Sequence, residues 1–262
     1  MCGIYLNRGR FILLAFYIPF AAIAAAFSEK ILVGFGQDEE VSHLTNVYVW
    51  ANLPATIFYS QYDLYKRWLA CQRITFVPMV AMFVGTSLHV PFCYLYVKYF
   101  DLGLIGLGVA SSSKDLIILI SVIIYGNCST QIRPALSYPD KTTFQGWGEY
   151  LKVAIPAATL VCAEMWGVQV MVVIAGTLGV SEQASYVVIS VIAAVLYMVP
   201  LGIQEATCGL IGNCIGNNNV DLAERFFWLI SKITLALAII ISVSVLFGRR
   251  WISECFTNDE EV

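Results

Sequence analysis

Apolar residues dominate this 262-residue chain in seven long runs, and short segments that contain charged residues separate one run from the next. The runs show no alternation of period two, and they are far longer than the roughly 9–11 residues of a membrane-spanning strand. A helix needs about 20 apolar residues to cross a bilayer. The pattern therefore predicts seven spanning helices, at about 11–33, 44–62, 74–97, 102–125, 151–178, 184–211 and 226–247.

Two of the seven runs contain polar residues that a spanning helix seldom carries. Asn46, Asn52 and Gln61 dilute the second run, and Lys114 and Asp115 stand side by side in the middle of the fourth. Only a helix satisfies all the backbone N–H and C=O groups of such a segment inside lipid. We therefore expect an all-α, polytopic membrane protein in spite of these interruptions.

Composition supports the same class. Hydrophobic residues make up 59% of the chain and charged residues 13%, with a mean hydropathy of +0.75, whereas a soluble domain is about 45–50% apolar and about 25% charged. The net charge of −3 without a basic cluster argues against a nucleic-acid partner. The eight cysteines are scattered singly and the two histidines are far apart, so we expect no metal site and no cofactor. No hydrolase or phosphate-loop motif is present, and the sequence predicts no enzyme.

Lysine and arginine are distributed unevenly between the two sides of the predicted membrane domain. Nine lie in the amino-terminal segment and in the second, fourth and sixth connections, and four lie on the opposite side. The positive-inside rule then predicts a cytoplasmic amino terminus and an outer carboxyl terminus. The glycosylation sequon at Asn127 would fall on the cytoplasmic side and is interpreted as a chance match. Composition leaves open whether the membrane is the plasma membrane, a vacuolar membrane or another endomembrane.

The chain contains an internal repeat. Residues 31–41, ILVGFGQDEEV, are similar to residues 252–262, ISECFTNDEEV, at an offset of 221 residues. Six predicted spans lie within one period, so both copies have the same orientation, as in transporters built from parallel six-helix repeats. On this interpretation a seven-span chain is one repeat plus a remnant, and we expect it to be a fragment of a protein of about twelve spans.

Ionisable residues deep in a span are costly and are functional candidates by default. Glu164 is the strongest, because it lies near the middle of the fifth run, beside Trp166 and about a turn and a half from Gln169. Its carboxyl group could exchange a proton for a cation, or could be satisfied structurally by a neighbouring helix.

Four further polar residues inside the runs are weaker candidates. Lys114 and Asp115 point about 100° apart on a helix and are poorly placed to pair with each other, so we expect each to have another partner or to face a water-filled cavity. Structural pairing with such a partner and a role in transport are the two alternatives for them. His89 is either a proton carrier or a structural hydrogen-bonding residue. Glu205 lies near the cytoplasmic end of its run and could reach the interface.

Six prolines lie inside the runs, where each removes a backbone hydrogen bond and favours a kink. This number is typical of a protein that moves, although membrane helices also tolerate proline without a role in motion. The six residues are Pro19, Pro54, Pro78, Pro91, Pro156 and Pro200.

Several segments resemble eukaryotic multidrug and toxic compound extrusion (MATE) transporters. Residues 147–179 contain an L-x-x-A-x-P start and a C-x-E centre similar to the seventh helix of that family. LYMVPLG at 196–202 and GNCIGN at 212–217 are similar to its Y-M-x-P-x-G and G-N-x-L-G-A-G signatures. Gln72-Arg73-Ile74 with Pro78 is similar to the Q-x-I-x-x-P motif that enters its fifth helix.

The resemblance implies a fold of two six-helix lobes around a central cleft. The seven runs would be helices three to nine of twelve, with 1–140 holding the remaining four spans of the amino-terminal lobe and 141–262 the first three of the carboxyl-terminal lobe. It also implies export of small amphipathic organic compounds across the bilayer by alternating access, in exchange for protons or sodium.

The resemblance assigns roles to particular residues. Glu164 matches the acidic residue of helix seven that is implied in substrate and proton coupling, with Trp166 beside it. Gln169 and Val191 stand where some animal members have further glutamates, so the coupling ion stays open between H⁺ and Na⁺. Gln72, Pro156 and Pro200 fall in the matched motifs and are candidates for gating or hinge positions.

Two other functions remain as alternatives at this point. A truncated, non-transporting remnant of such a transporter would share all of these motifs. A seven-helix receptor would need an outer amino terminus, opposite to the charge distribution, and would leave the repeat unexplained. The substrate, the membrane of residence and the oligomeric state are not determined by the sequence.

Overall fold

A computed structural model describes residues 2–34, 38–130, 132–137, 139–178 and 180–256. The described residues form seven long helices and no strand, which confirms the all-α prediction. They are α1 Cys2–Gly34, α2 Glu39–Cys71, α3 Phe76–Cys93, α4 Gly103–Cys128, α5 Trp147–Leu178, α6 Val180–Gly216 and α7 Val220–Phe256. A π-helical turn, Tyr94–Tyr99, extends α3, and two 3₁₀ turns, Arg133–Ala135 and Lys141–Phe144, lie between α4 and α5.

Six of these helices are long and apolar enough to cross a membrane, and α2 is the exception. The packing of α2 explains why it contains polar residues. It lies against both α1 and α4 and buries seven of its side chains. A helix that faces protein along much of its surface does not need the hydropathy of one that faces lipid. The seven predicted spans thus correspond to seven helices, of which the second is an inner one.

The chain divides into two compact units, Met1–Trp147 with four of the long helices and Gly148–Val262 with three. The assignment of 1–140 and 141–262 to the two lobes of a transporter stays a prediction. The repeated segments at 31–41 and 252–262 lie partly outside the described residues, at 35–37 and 257–262. In the first copy, Asp38 is the N-cap of α2, where its Oδ1 accepts the backbone N–H of Glu40 at 2.9 Å.

The first unit is held together by an apolar core and by close helix contacts. Gly108 of α4 lies directly on Ala51 of α2, and Gly126 of α4 lies under the Tyr65 side chain, so α2 and α4 are parallel. The core side chains come from α1, α2, α4 and the following turn: Leu6, Tyr62, Tyr65, Trp68, Leu69, Ile118, Leu119, Val122 and Ile132.

The amino-terminal end differs from its prediction. The sequence pattern places Arg8 and Arg10 before the first span, but both lie inside α1. Arg10 Nε donates to Gln61 Oε1 of α2 at 2.9 Å, so this polar pair joins two helices inside the unit. The hydropathy pattern missed this extension because the polar residues of the first turns contact α2 and the connection between α4 and α5 rather than lipid.

In the second unit, α6 and α7 pack against each other. The turn between them is made by Asn217, Asn218 and Asn219. Asn218 has φ +55°, a left-handed conformation that asparagine tolerates well, and Asn219 Oδ1 accepts the backbone N–H of Leu222 at 3.2 Å. The asparagines therefore form the turn and cap α7. The apolar windows of α5, α6 and α7 are not buried within the chain, whereas a third of the corresponding window of α4 is buried.

Candidate functional site

A carboxylate of α5 and a phenol of α6 meet on the surface of the second unit, where both side chains are exposed. Glu164 lies well inside the spanning part of α5, Trp147–Val172, and the Tyr197 hydroxyl of α6 donates to Glu164 Oε1 at 2.8 Å. A hydrogen bond to an ionised acceptor is about twice as strong as one between neutral groups. This bond therefore joins α5 to α6 most tightly when Glu164 is ionised, and protonation or cation binding at the carboxylate weakens the connection.

Each of the two helices contains a proline near this pair. Pro156 lies inside α5, eight residues before Glu164, and Pro200 lies inside α6, three residues after Tyr197. An internal proline removes one helical hydrogen bond and disturbs the carbonyl group four residues earlier. The structure thus places both predicted hinge prolines within the helices that carry the Glu164–Tyr197 pair, and their hinge role stays a prediction.

The other two residues predicted to act with Glu164 lie on different faces of α5. Successive helical residues are about 100° apart, so Trp166 points about 200° from Glu164 and Gln169 about 140° from it. Trp166 is 70% exposed, and Gln169 is exposed as well. Val191 of α6 is also exposed. A direct part for Trp166 and Gln169 in cation coupling stays a prediction, while Glu164 has a partner on another helix.

A groove of about 520 Å³ runs between α6 and α7. Its walls are mainly apolar, with one amide and three hydroxyl groups, and Pro200 lies at its edge. This combination of apolar walls and a few polar groups is typical of sites for small organic ligands. The polar residues among those that line it are Gln204, Thr207, Ser231 and Thr234. Glu205, a weaker candidate from the sequence, is half-buried on α6 next to Gln204.

The expectation that Lys114 and Asp115 do not pair with each other is wrong. Lys114 Nζ lies 3.0 Å from Asp115 Oδ1, although the two Cβ atoms point in different directions along α4. The flexible four-carbon stem of lysine allows the ammonium group to turn back to the neighbouring carboxylate. The pair lies midway along the span Gly103–Cys128 of the first unit.

The two remaining predicted residues also lie in the first unit. His89 is on α3, with its Nε2 atom 3.5 Å from Cys93 Sγ one turn further on. Gln72 ends α2, where its backbone N–H donates to Leu69 O at 2.9 Å. Its gating role stays a prediction.

Sequence reasoning missed two polar contacts. Tyr197 lies 33 residues from Glu164, and its only signal was its place at the start of the Y-M-x-P-x-G motif. Arg10 and Gln61 are 51 residues apart and gave no local signal. For metal ions, no group of three or more histidine, cysteine or carboxylate side chains occurs within the described ranges.

Comparisons with known proteins agree with the helical architecture. The family model described as MatE matches residues 1–95 and 156–262, which together are more than half of the chain. Multidrug and toxin extrusion protein 1 of Xenopus tropicalis is 28% identical over 262 residues, covering 100% of this chain and 46% of the relative. Protein DETOXIFICATION 49 of Arabidopsis thaliana is 28% identical over 265 residues, covering 100% of this chain and 52% of the relative.

A solved structure shows the same fold. The crystal structure of the eukaryotic MATE transporter AtDTX14 matches with a TM-score of 0.88 at 23% sequence identity, covering 100% of this chain and 58% of that chain. The chain thus spans about half the length of the curated relatives that it matches.

Proposed function

The chain belongs to the MatE family, and on that premise we propose that it acts as a secondary antiporter for small amphipathic organic compounds. It is a multi-pass integral membrane protein, and six helices among the described residues are apolar enough to span a bilayer. Its similarity to multidrug and toxin extrusion protein 1 of Xenopus tropicalis and of Homo sapiens supports extrusion as the activity. A seven-helix receptor has no support from these matches.

The observation that carries the proposal is the Glu164–Tyr197 hydrogen bond at 2.8 Å. Glu164 is a carboxylate within a span whose hydrogen bond to a second helix depends on its charge. A proton or Na⁺ that neutralises the carboxylate weakens the bond, and a cationic substrate competes for the same negative charge. This competition is the elementary requirement of exchange, because one binding event must disfavour the other.

The groove between α6 and α7 supports the substrate class. Its apolar walls suit the uncharged part of an amphipath, and its amide and hydroxyl groups suit the polar part. Pro200 borders the groove and lies one turn from Tyr197, so movement of α6 at this proline would act on both places. We propose that alternating access uses such a movement, driven by protons or by sodium.

The topology belongs to the same proposal. The distribution of lysine and arginine supports a cytoplasmic amino terminus. With that orientation, the carboxyl-terminal ends of α2 and α4 face the cytoplasm.

The proposal is tested by efflux of a fluorescent organic cation from proteoliposomes that contain the 262-residue chain, with an imposed pH or sodium gradient. Glu164→Gln removes the charge with little change in shape, and we expect a loss of gradient-driven efflux of at least about tenfold, the equivalent of about 1.4 kcal/mol. Glu149→Gln is the matched control, because Glu149 is an exposed carboxylate in the first turn of the same helix.

Two results would contradict the proposal. Equal efflux by the wild type and Glu164→Gln would show that Glu164 has no part in the exchange. A folded wild-type chain without gradient-driven efflux would show that the 262 residues do not transport by themselves.

A further inference from the structure

The connection between α4 and α5, residues 129–147, is packed against the first unit at both of its ends. Ile132, just before the first 3₁₀ turn, is fully buried in the apolar core of that unit. Thr143, in the second 3₁₀ turn, is 1% exposed. A connection usually runs over the surface with its side chains in solvent. The burial of these two residues indicates a segment with a fixed position.

The first half of the connection is bonded to the amino-terminal turns of α1. The Asn7 side chain is 5% exposed, and its Nδ2 donates to the Ser137 carbonyl oxygen at 2.7 Å. Gly3 lies one turn earlier, where an added Cβ atom would be 2.5 Å from Ala135 O and 2.6 Å from Ser137 N. A buried amide is costly when it lacks a partner. Asn7 therefore holds the connection at Ser137, and Gly3 leaves room for its backbone.

The second half of the connection meets α1 one turn further along. The ring centroids of Phe11 and Phe144 lie 5.2 Å apart, which is a favourable separation for an aromatic pair. Gly146 has φ +74°, and an added Cβ atom there would be 3.2 Å from Arg8 Nη1. The backbone of the connection thus passes close beside the Arg8 guanidinium group.

These contacts follow one face of α1. Gly3, Asn7 and Phe11 are spaced by four residues, so their side chains lie above one another along the helix. The connection touches each of the three positions. It is therefore held along two turns of α1 and not at a single point.

The same connection passes directly into α5, of which Trp147 is the first residue. The Trp147 ring stacks on Phe144, with centroids 6.1 Å apart, and its Nε1 donates to the Thr143 carbonyl oxygen at 3.0 Å. The first compact unit ends at this residue. The beginning of α5 is thus fixed to a segment that is itself fixed to α1.

We propose that residues 129–147 form a strap that stays docked on α1, so that the two units pivot only beyond Trp147. A flexible linker of this length would absorb movement along its whole course. A docked strap cannot do so, because its backbone is held by Asn7 and its rings by Phe11. Movement is then confined to the backbone that follows Trp147.

This inference deepens the proposed function, because alternating access needs a defined pivot, and its primary test does not depend on transport. Trypsin does not cleave before proline, so Pro134 protects Arg133 and Lys141 is the only trypsin site in the strap. The whole chain in detergent micelles is digested, and fragments 1–141 and 142–262 are quantified by mass spectrometry. We expect cleavage at least about 100-fold slower than in a synthetic peptide of residues 129–147, because a docked segment must open before it is cut.

Two variants release the strap at different points. Asn7→Ala removes the hydrogen bond to Ser137, and Phe144→Ala removes the ring contacts with Phe11 and Trp147. We expect each to accelerate cleavage at Lys141 about tenfold.

Each of these variants has a matched control. Asn127→Ala serves for Asn7→Ala, because Asn127 is exposed and its Nδ2 donates to Ile123 O of its own helix. Phe16→Ala serves for Phe144→Ala, because Phe16 is 62% exposed on α1. Both controls should be cleaved at the wild-type rate.

The strap must also stay docked when the protein binds its ligands. Cleavage of the wild type should be equally slow with and without a fluorescent organic cation or sodium chloride, and trypsin activity on a small chromogenic peptide is measured in the same mixtures. Faster cleavage with either addition would overturn the proposal.

Two further results would overturn it. One is a wild-type chain that is cut as fast as the peptide, and the other is an unchanged cleavage rate in both releasing variants. Thermal melting followed by circular dichroism identifies a variant that does not fold. If Asn7→Ala is such a variant, Phe144→Ala decides, because Phe144 lies outside the long helices.

The strap and the proposed function can fail separately. A protected Lys141 in a chain without efflux supports the strap and contradicts transport by this chain. Glu164-dependent efflux with an unprotected Lys141 does the reverse. Efflux that Phe144→Ala leaves unchanged, while cleavage is accelerated, contradicts the pivot and leaves transport intact.

Discussion

Glu164 and Tyr197, 33 residues apart in sequence, form one hydrogen bond between two consecutive helices of the second unit. A lone carboxylate within a spanning helix is costly, and a phenol from the next helix reduces that cost with one charge-assisted hydrogen bond. The same bond makes the connection between α5 and α6 depend on what occupies the carboxylate. In the proposed exchange, this side-chain pair would link ion binding at Glu164 to the position of α6.

Tyr197→Phe tests this link, because it removes only the hydroxyl group. A hydrogen bond to a charged group contributes about 1.5–3 kcal/mol, so we expect gradient-driven efflux to fall about tenfold, with the protein still folded. Tyr186→Phe is the matched control, since Tyr186 lies on the same helix and its backbone carbonyl, which accepts from Ser190, is unchanged. The proteoliposome efflux assay measures both variants. Equal rates for Tyr197→Phe and the wild type would show that the contact has no part in exchange.

The Glu164–Tyr197 hydrogen bond and the Lys114–Asp115 ion pair show which contacts were predictable at the residue scale. Glu164 could be selected from the sequence because a carboxylate in an apolar run is conspicuous by itself. Its partner, Tyr197, could not be selected from the sequence, because a contact across 33 residues depends on how two helices are placed. The Lys114–Asp115 prediction was wrong for a different reason, since it used the directions of the Cβ atoms and neglected the reach of the lysine stem.

At the scale of elements, the number and the approximate positions of the helices could be predicted, and their ends could not. The run at 11–33 marks the apolar part of α1, but the helix begins at Cys2 because its polar first turns pack against α2 and neighbouring loops. The run at 74–97 became α3 and a π-helical turn that begins three residues after Pro91. Such irregularities depend on single backbone groups, which hydropathy does not register.

Among the described residues, Gly108 allows a close backbone approach between α4 and α2. A Cβ atom added to Gly108 would lie 2.5 Å from Ala51 Cβ and 2.7 Å from its carbonyl carbon, so the helices would have to separate. We expect Gly108→Ala to destabilise the first unit by about 1–3 kcal/mol, the usual cost of overpacking. Thermal unfolding in detergent, followed by circular dichroism, measures the change in melting temperature.

Gly148→Ala is the control for this variant, because nothing lies within 4 Å of the added Cβ atom. Adding Ala51→Gly to Gly108→Ala should recover part of the loss, since it removes the Cβ contact and leaves the backbone contacts. A Gly108→Ala protein as stable as the wild type would mean that the helices are not in close contact at this point.

At the scale of the whole molecule, the parallel arrangement of α2 and α4 fixes which ends share a side of the membrane. Cys71 at the end of α2 and Cys128 at the end of α4 are both exposed, and parallel helices place their carboxyl ends on the same side. The lysine and arginine distribution supports the cytoplasmic side.

We expect a membrane-impermeant maleimide to label both cysteines in inside-out vesicles and neither in right-side-out vesicles. Variants that retain only Cys71 or only Cys128 show on which side of the membrane each cysteine lies. A cysteine-free variant gives the background labelling. Labelling of the two residues from opposite sides would contradict the parallel arrangement. Labelling of both from the outside would invert the proposed topology while leaving that arrangement intact.

The polar character of α2 has a consequence for how the chain enters the membrane during synthesis. On insertion scales, charged and amide side chains in the middle of a segment strongly oppose partitioning into lipid, and α2 is the one long helix that falls short of a spanning hydropathy. Its favourable surroundings are supplied by α1 and α4. We infer that α2 leaves the translocon only together with a neighbouring helix. On this inference, α1 remains beside the translocon until α2 has been synthesised.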